Sequence, residues 1–278
     1  MLQKQFALWV MLSVVCTINL PAQSLRYAVS MPYIGLDAYS GRHVNAFSFT
    51  ANQAALAQQK HPSVGVYGEQ RFMLAANSAY RAALAIPTQL GNFGMQLNYA
   101  GFKNFSENAI GLAYARSLGK KVDLGIQFNY YGYRVPGYGQ AATINFEAGA
   151  IFHFSDKLRG GMHVYNPMGT TLSKSTGEKL ASAYQLGFGY DASAQFFIGA
   201  VILKEENKPV GLTVGAQYQL LQQLFAKAGF VTNTATAFAG LGLGWKNIRL
   251  DLTGSYHPQL GLSPGLLLIL HFKKRENE

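Results

Sequence analysis

Between residues 122 and 130 every second side chain is apolar: Val122, Leu124, Ile126, Phe128 and Tyr130 alternate with Asp123, Gly125, Gln127 and Asn129. An unbroken period of two is the mark of a β-strand with one greasy face and one polar face. The stretch before it alternates too, with Leu112, Tyr114 and Leu118 on one phase, and a basic turn, Gly119-Lys120-Lys121, joins the two. A hairpin of this kind must bury its greasy face against a protein core or against lipid.

Composition favours lipid. Charged residues are only 13% of the 278, about half the share of a soluble domain. Gly (30), Phe (18) and Tyr (16) are abundant, which suits strands better than helices. The formal charge of +10 is spread over 23 scattered Lys and Arg, and the densest run, Lys273-Lys274-Arg275, lies at the end of the chain. This pattern fits anionic lipid headgroups and gives no nucleic-acid footprint.

The first residues read as an export signal. A basic start ending at Lys4 precedes an apolar run from Phe6 to Leu20, and Pro21-Ala22-Gln23 places a cleavage site after Ala22. Cys16, the only cysteine, lies inside that run, and Val15 before it does not suit a lipoprotein signal. The expected mature chain therefore has neither disulfide nor thiol chemistry.

From residue 63 to residue 272 the chain reads as fourteen alternating stretches, the first at 63–74, the fourth at 109–118 and the sixth at 141–154. None has the apolar length of a membrane-spanning helix, but each suits a tilted spanning strand with a short connection. The even-numbered connections, such as 119–121, 155–157 and 246–247, read as tight turns. The odd ones, among them FKNFSEN, RVPGYGQ and NPMGTTLSKSTGEK, read as longer loops. Alternation of this sort marks the two sides of an outer-membrane barrel, whose closure leaves no strand edge for lipid to strand unpaired.

The faces agree. Ala142, Ile144, Phe146, Ala148, Ala150 and Phe152 form one lipid-facing row, and Val210, Leu212, Val214, Ala216 and Tyr218 form another. Tyr99, Tyr130 and Tyr133 are expected at the outer headgroup level, and Tyr114, Phe154, Tyr190 and Trp245 at the inner one. The last strand ends on Phe272 with Leu266, Leu268 and Leu270 in phase, similar to the C-terminal insertion signal of outer-membrane barrels. The fold class is thus all-β: a transmembrane antiparallel β-barrel of about fourteen strands with an N-terminal hatch segment. The expected divisions are 1–22 signal peptide, 23–62 hatch or plug, 63–272 barrel and 273–278 tail.

The hatch is expected because residues 23–62 are too long for a lead-in and too apolar for a free tail. Within them Thr50 or Asn52 can cap a short helix over 53–59. The run Asn52-Gln53-Ala54-Ala55-Leu56-Ala57 resembles the NPAALA-type motif of FadL-type outer-membrane transporters, with Gln53 in place of the proline. Together with VYGEQRFML and VYNPMGTTL, it is still more similar to the PorV and PorQ proteins of type IX secretion in Bacteroidota. FadL-type proteins pass hydrophobic molecules through a hatch-plugged lumen and sideways into the membrane, whereas PorV-like proteins hold or shuttle secreted cargo. The resemblance therefore implies the outer membrane of a Gram-negative cell, with outer-membrane lipid as the surroundings. Of its two roles, the sequence reading inclines to a non-enzymatic partner of secretion-machinery or surface proteins. The alternative is a transporter of a hydrophobic small molecule.

The lumen and hatch candidates are Asn52, Gln53, Glu69, Arg71, Arg81, Asp123, Glu147, Arg249 and Asp251, with Gln127, Arg159, Lys227 and Lys246 also on the inward phase. Residues 52–57 are expected beside Glu69 and Arg71. Phe197, Val201 and Leu203 point inward and are expected to pack on the hatch. Arginine should cost less at inward Gln127 or Gly215, where space allows, than at outward Ile126 or Val214. No cofactor, metal or catalytic group is expected. His153 and Ser155 have the spacing of a barrel hydrolase, but at the wrong end of their strand.

Overall fold

The computed structural model describes residues 32–137, 139–173 and 177–272. The expected signal peptide, the first part of the hatch segment and the tail after Phe272 lie outside the described residues. The wall is one closed antiparallel barrel of fourteen strands. Its first half comprises β1 (Ser63–Gln70), β2 (Ser78–Thr88), β3 (Gly91–Phe102), β4 (Phe105–Leu118), β5 (Val122–Val135), β6 (Gly139–His153) and β7 (Leu158–Tyr165). A small hairpin, β8 (Thr171–Ser173) and β9 (Glu178–Lys179), stands apart from the wall. The wall resumes with β10 (Ala183–Asp191), β11 (Phe196–Glu205), β12 (Gly211–Gln219), β13 (Leu224–Val231), β14 (Thr236–Trp245), β15 (Ile248–His257) and β16 (Gly261–His271). Each strand pairs with its sequence neighbour in the barrel, and β1 closes on β16 from Ser63↔His271 to Glu69↔Gly265.

The alternation places the greasy phase outside. Ile126, Phe128, Ile144, Leu212 and Val214 are exposed on the outer wall, while Asp123, Gln127, Glu147 and Gln217 are buried inside. A chain that shows this much leucine, isoleucine and phenylalanine to its surroundings is suited to hydrocarbon, not water. Tyr80, Tyr99, Tyr130 and Tyr256 stand toward one end of the wall, and Phe154, Tyr190, Trp245 and Phe272 toward the other. Tyr133 is a correction: it sits on the inward phase, and its hydroxyl donates to Glu178 of the small hairpin at 3.2 Å.

Strand limits differ from expectation mostly at the loop end. FKNFSEN and RVPGYGQ are not long loops; β3 and β4 pair out to Phe102↔Phe105, and β5 and β6 out to Val135↔Gly139. A ladder that continues beyond the lipid still satisfies its backbone groups, so strand extension replaces loop. β1 is instead shorter than expected, ending at Gln70, where Phe72 (φ 55°) and Met73 (φ 58°) turn the chain.

The segment between β7 and β10 does form a long connection, and among its described residues Leu172 and Leu180 turn inward while Met168, Thr171 and Lys179 are exposed. Leu172 and Leu180 are buried against Tyr131, Tyr165 and Ala183, and Asn166 Nδ2 donates to Leu180 O at 2.5 Å. Below it, residues 32–61 fill the barrel interior as one helical turn (Pro32–Gly35) and three 3-10 turns, Leu36–Tyr39, Ser48–Thr50 and Gln53–Gln58. Tyr39, Phe47, Phe49 and Leu56 are fully buried there.

Candidate functional site

The hatch sits where the wall lacks side chains. A Cβ on Gly125 would meet Gln53 C at 2.4 Å, one on Gly149 would meet Asn52 Oδ1 at 2.1 Å, and one on Gly189 would meet Tyr39 O at 2.4 Å. Gly187 faces the Tyr39 ring, and Gly199 and Gly215 face Leu36. These glycines lie on the inward phase, in register across neighbouring strands: Gly125↔Gly149 and Gly189↔Gly199↔Gly215. Glycine at these positions allows backbone to approach backbone.

Asn52 caps the Gln53–Gln58 turn by accepting from Ala54 N at 3.0 Å. Its Nδ2 donates outward, to Met162 O at 3.1 Å and to Tyr39 Oη at 3.2 Å. Burial pushes the Tyr39 phenol up to about 12, partly offset by that Asn52 contact, so the hydroxyl stays neutral. Gln53, the residue that replaces the motif's proline, donates from Nε2 to Glu147 Oε2 at 2.6 Å. Glu147 also accepts from Asn129 Nδ2 at 2.7 Å and Gln127 Nε2 at 3.2 Å, and His163 Nε2 lies 2.9 Å from it. A carboxylate buried to this degree is tolerable only with such a set of donors.

A second anchor lies across the lumen. Lys227 Nζ donates to Asp37 Oδ2 at 2.8 Å and to Tyr33 O at 3.1 Å, all buried. Tyr33 Oη donates to Asp251 Oδ2 at 2.8 Å, and Arg249 holds the same carboxylate through two 2.8 Å bonds. A third anchor lies toward the turn end. Gln58 Nε2 donates to Asp123 Oδ2 at 3.0 Å, Arg159 reaches Gln58 and Ser40, and Ser40 Oγ donates to Asp191 at 2.7 Å. Nearby, burial lowers the His43 imidazolium below its ordinary range, with Asp37 and Asp191 opposing the shift.

Of the residues expected at the site, Asn52, Gln53, Asp123, Glu147, Arg249 and Asp251 thus come together on the hatch. Glu69 and Arg71 lie apart from these anchors, beside a small cavity that Pro32 and Tyr33 of the hatch also line. The 52–57 run packs on β3 to β6, not beside Glu69; it is Phe47 that meets β1, over Gly65. Arg71 lies beyond β1 in a turn and pairs with Glu69 at 2.7 Å. Buried Arg81 lies in β2 opposite Tyr67. Lys246 is in the exposed two-residue turn after β14, not on the inner wall. Phe197 packs beside His43, and Val201 packs on the cluster holding Tyr39. Leu203 packs instead on the inward-folded loop. His153 and Ser155 have separate duties. His153 Nε2 lies 2.7 Å from Asp123, while Ser155 Oγ accepts from the turn amides of Lys157 and Leu158.

The wall also has a thin place. Where β1, β2 and β16 meet, an apolar groove of about 880 Å³ is lined by outward Val66, Leu97 and Leu266 and also by inward Tyr67, Glu69 and Arg81. Gly68 and Gly265 contribute no side chain there, and Pro264 has no N–H for a ladder.

Solved structures with this fold include hydrocarbon channels and toluene transporters. The toluene transporter TodX of Pseudomonas putida superposes with a TM-score of 0.64 at 9% identity, covering 87% of this chain and 99% of TodX. CymD, a monoaromatic hydrocarbon channel, gives 0.60 at 11% identity over 87% and 99% of the two chains. A Pseudomonas aeruginosa FadL homologue gives 0.55 at 13% over 90% and 99%. At such identities the likeness is one of fold. No protein-family model and no curated protein matches the sequence.

Proposed function

We propose that this barrel passes hydrophobic small molecules across the outer membrane, with the N-terminal hatch closing its lumen and the β1–β2–β16 groove as its opening to lipid. The observation that carries the reading is the groove, an apolar hollow in the outer wall where Gly68 and Gly265 bring no side chain between it and the inward row of Tyr67, Glu69 and Arg81. An opening in mid-wall would release an apolar solute into hydrocarbon without returning it to water, which is where its transfer is favourable. The hydrocarbon channels among the structural neighbours support the same reading.

The test is uptake of labelled toluene by a Gram-negative host that lacks hydrocarbon channels of its own. The intact protein should raise uptake, and Gly68→Trp, which fills the groove from the lipid side, should return it to background while the barrel still folds. No gain with the intact protein would remove the transport role.

The secretion-partner reading rests on how full the lumen is: among the described residues, cavities of about 120 and 30 Å³ lie beside the hatch and beneath the inward loop. Loss of cell-surface proteins on deleting the gene, with hydrocarbon uptake unchanged, would support that role.

A further inference from the structure

The end of the barrel that carries the short turns opens into a polar bowl of about 860 Å³, unlike the apolar groove in the wall. Three permanent cations line it, Arg42, Lys60 and Lys246, together with His43, His61 and His271, and among the described residues no Asp or Glu does. Arg249 also reaches it, but its charge is taken by Asp251. Acids that touch the lining from behind have other partners as well: Asp37 meets Lys227, Asp123 meets His153, and Asp191 meets Ser40. Arg42 and Lys60 are exposed, and no side-chain partner for either occurs among the described residues. His43 Nε2 is buried and likewise unpartnered.

Concentrating cations without counter-charges costs self-repulsion, and here the fold does not relieve it. The rest of the lining is rich in side-chain amides, including Gln222, Gln223 and Asn247. Amides offer both donors and acceptors, as a peptide backbone requires and an inorganic anion does not. The volume is that of a site for a ligand of several residues, far more than one phosphate fills.

We infer that this bowl is a docking site for an acidic peptide segment of a periplasmic protein, its carboxylates meeting Arg42 and Lys60 and its backbone meeting the amides. The inference is independent of the solute that the barrel transports.

The test uses the full chain in detergent and a fluorescein-labelled peptide of glutamates capped at both ends, followed by fluorescence polarisation. Binding should weaken as salt is raised. The double variant Arg42→Glu/Lys60→Glu should weaken it about tenfold or more, because both changes replace attraction by repulsion. Lys103→Glu, in the β3–β4 turn at the opposite end, should leave it unchanged. Retention of the heat-modifiable band would show that each variant is folded. Absence of binding, or equal loss in the Lys103 variant, would overturn the inference. Displacement by inorganic pyrophosphate as effective as by unlabelled peptide would also overturn it, in favour of a small-anion site. Binding that emerges only after residues 273–278 are removed would do the same, making the chain's own end the occupant.

Discussion

At the scale of single residues, the hatch is held by a few charged and amide groups that have no water to fall back on. Gln53→Ala takes one donor from the buried Glu147 carboxylate. Hydrogen bonds to charged groups contribute about 1.5–3 kcal/mol, and that is the expected loss in hatch anchoring. Lys227→Met is expected to cost more, about 3–5 kcal/mol, because Asp37 is left as an unpaired charge in a dry site. Limited proteolysis of purified protein checks both: cleavage within residues 40–60 should be faster in each variant, and faster in Lys227→Met than in Gln53→Ala. Equal protection in all three proteins would mean that packing alone holds the hatch. The inward placement of Glu147, Asp123 and Asp251 was legible from period-two phase, since one face of each strand excludes charge. Tyr33, the hatch partner of Asp251, and Asp37, which meets Lys227, were not, because both lie in an irregular segment where no periodicity points a side chain anywhere.

At the scale of elements, the inward glycines are the seat and the short turns are the plug. The abundance of glycine in the sequence marked only strands; the signal for a further role was the fall of these glycines on the polar phase beside Asp123, Gln127 and Glu147. Gly189→Ala should dislodge the hatch, because its Cβ would meet the Tyr39 backbone at 2.4 Å and backbone cannot rotate away. Gly254→Ala is the matched control, with only Leu262 Cδ1 nearby at 3.8 Å. Single-channel recording separates them: the first should show frequent openings and the second none beyond the parent protein. A short helix after a Thr50 or Asn52 cap was readable in advance, as local chemistry is; the structure makes it a 3-10 turn over Gln53–Gln58 with Asn52 as the cap. Which strands they would touch was not, since that depends on how the whole wall closes. The same limit explains the loop between β7 and β10, whose polar sequence suggested an exposed excursion although Leu172 and Leu180 draw it inward. A surface tag is therefore better placed at Asn207, in the exposed connection after β11. Labelling of intact cells should reach it and should miss a tag at Lys120. The reverse pattern would invert the barrel in the membrane.

At the scale of the whole molecule, two solvents meet across one layer of strands. Arginine at Ile126 or Val214 faces hydrocarbon and is expected to cost about 2–4 kcal/mol near the midplane. The lower cost expected at inward Gln127 and Gly215 depended on space, and little is left there: Gln127 is fully buried and a Cβ on Gly215 would meet Leu36. Arginine there should also impair folding, and deletion of the hatch should restore tolerance at Gly215, which would make the damage a matter of lost space. The central claim is that the barrel is built around a plug. Planar-bilayer conductance of the intact protein against a variant lacking residues 23–60 tests it most directly. The intact barrel should be nearly silent and the truncated one should conduct as a steady open pore. Equal conductance from the two proteins would contradict the plug and leave a plain diffusion channel in its place.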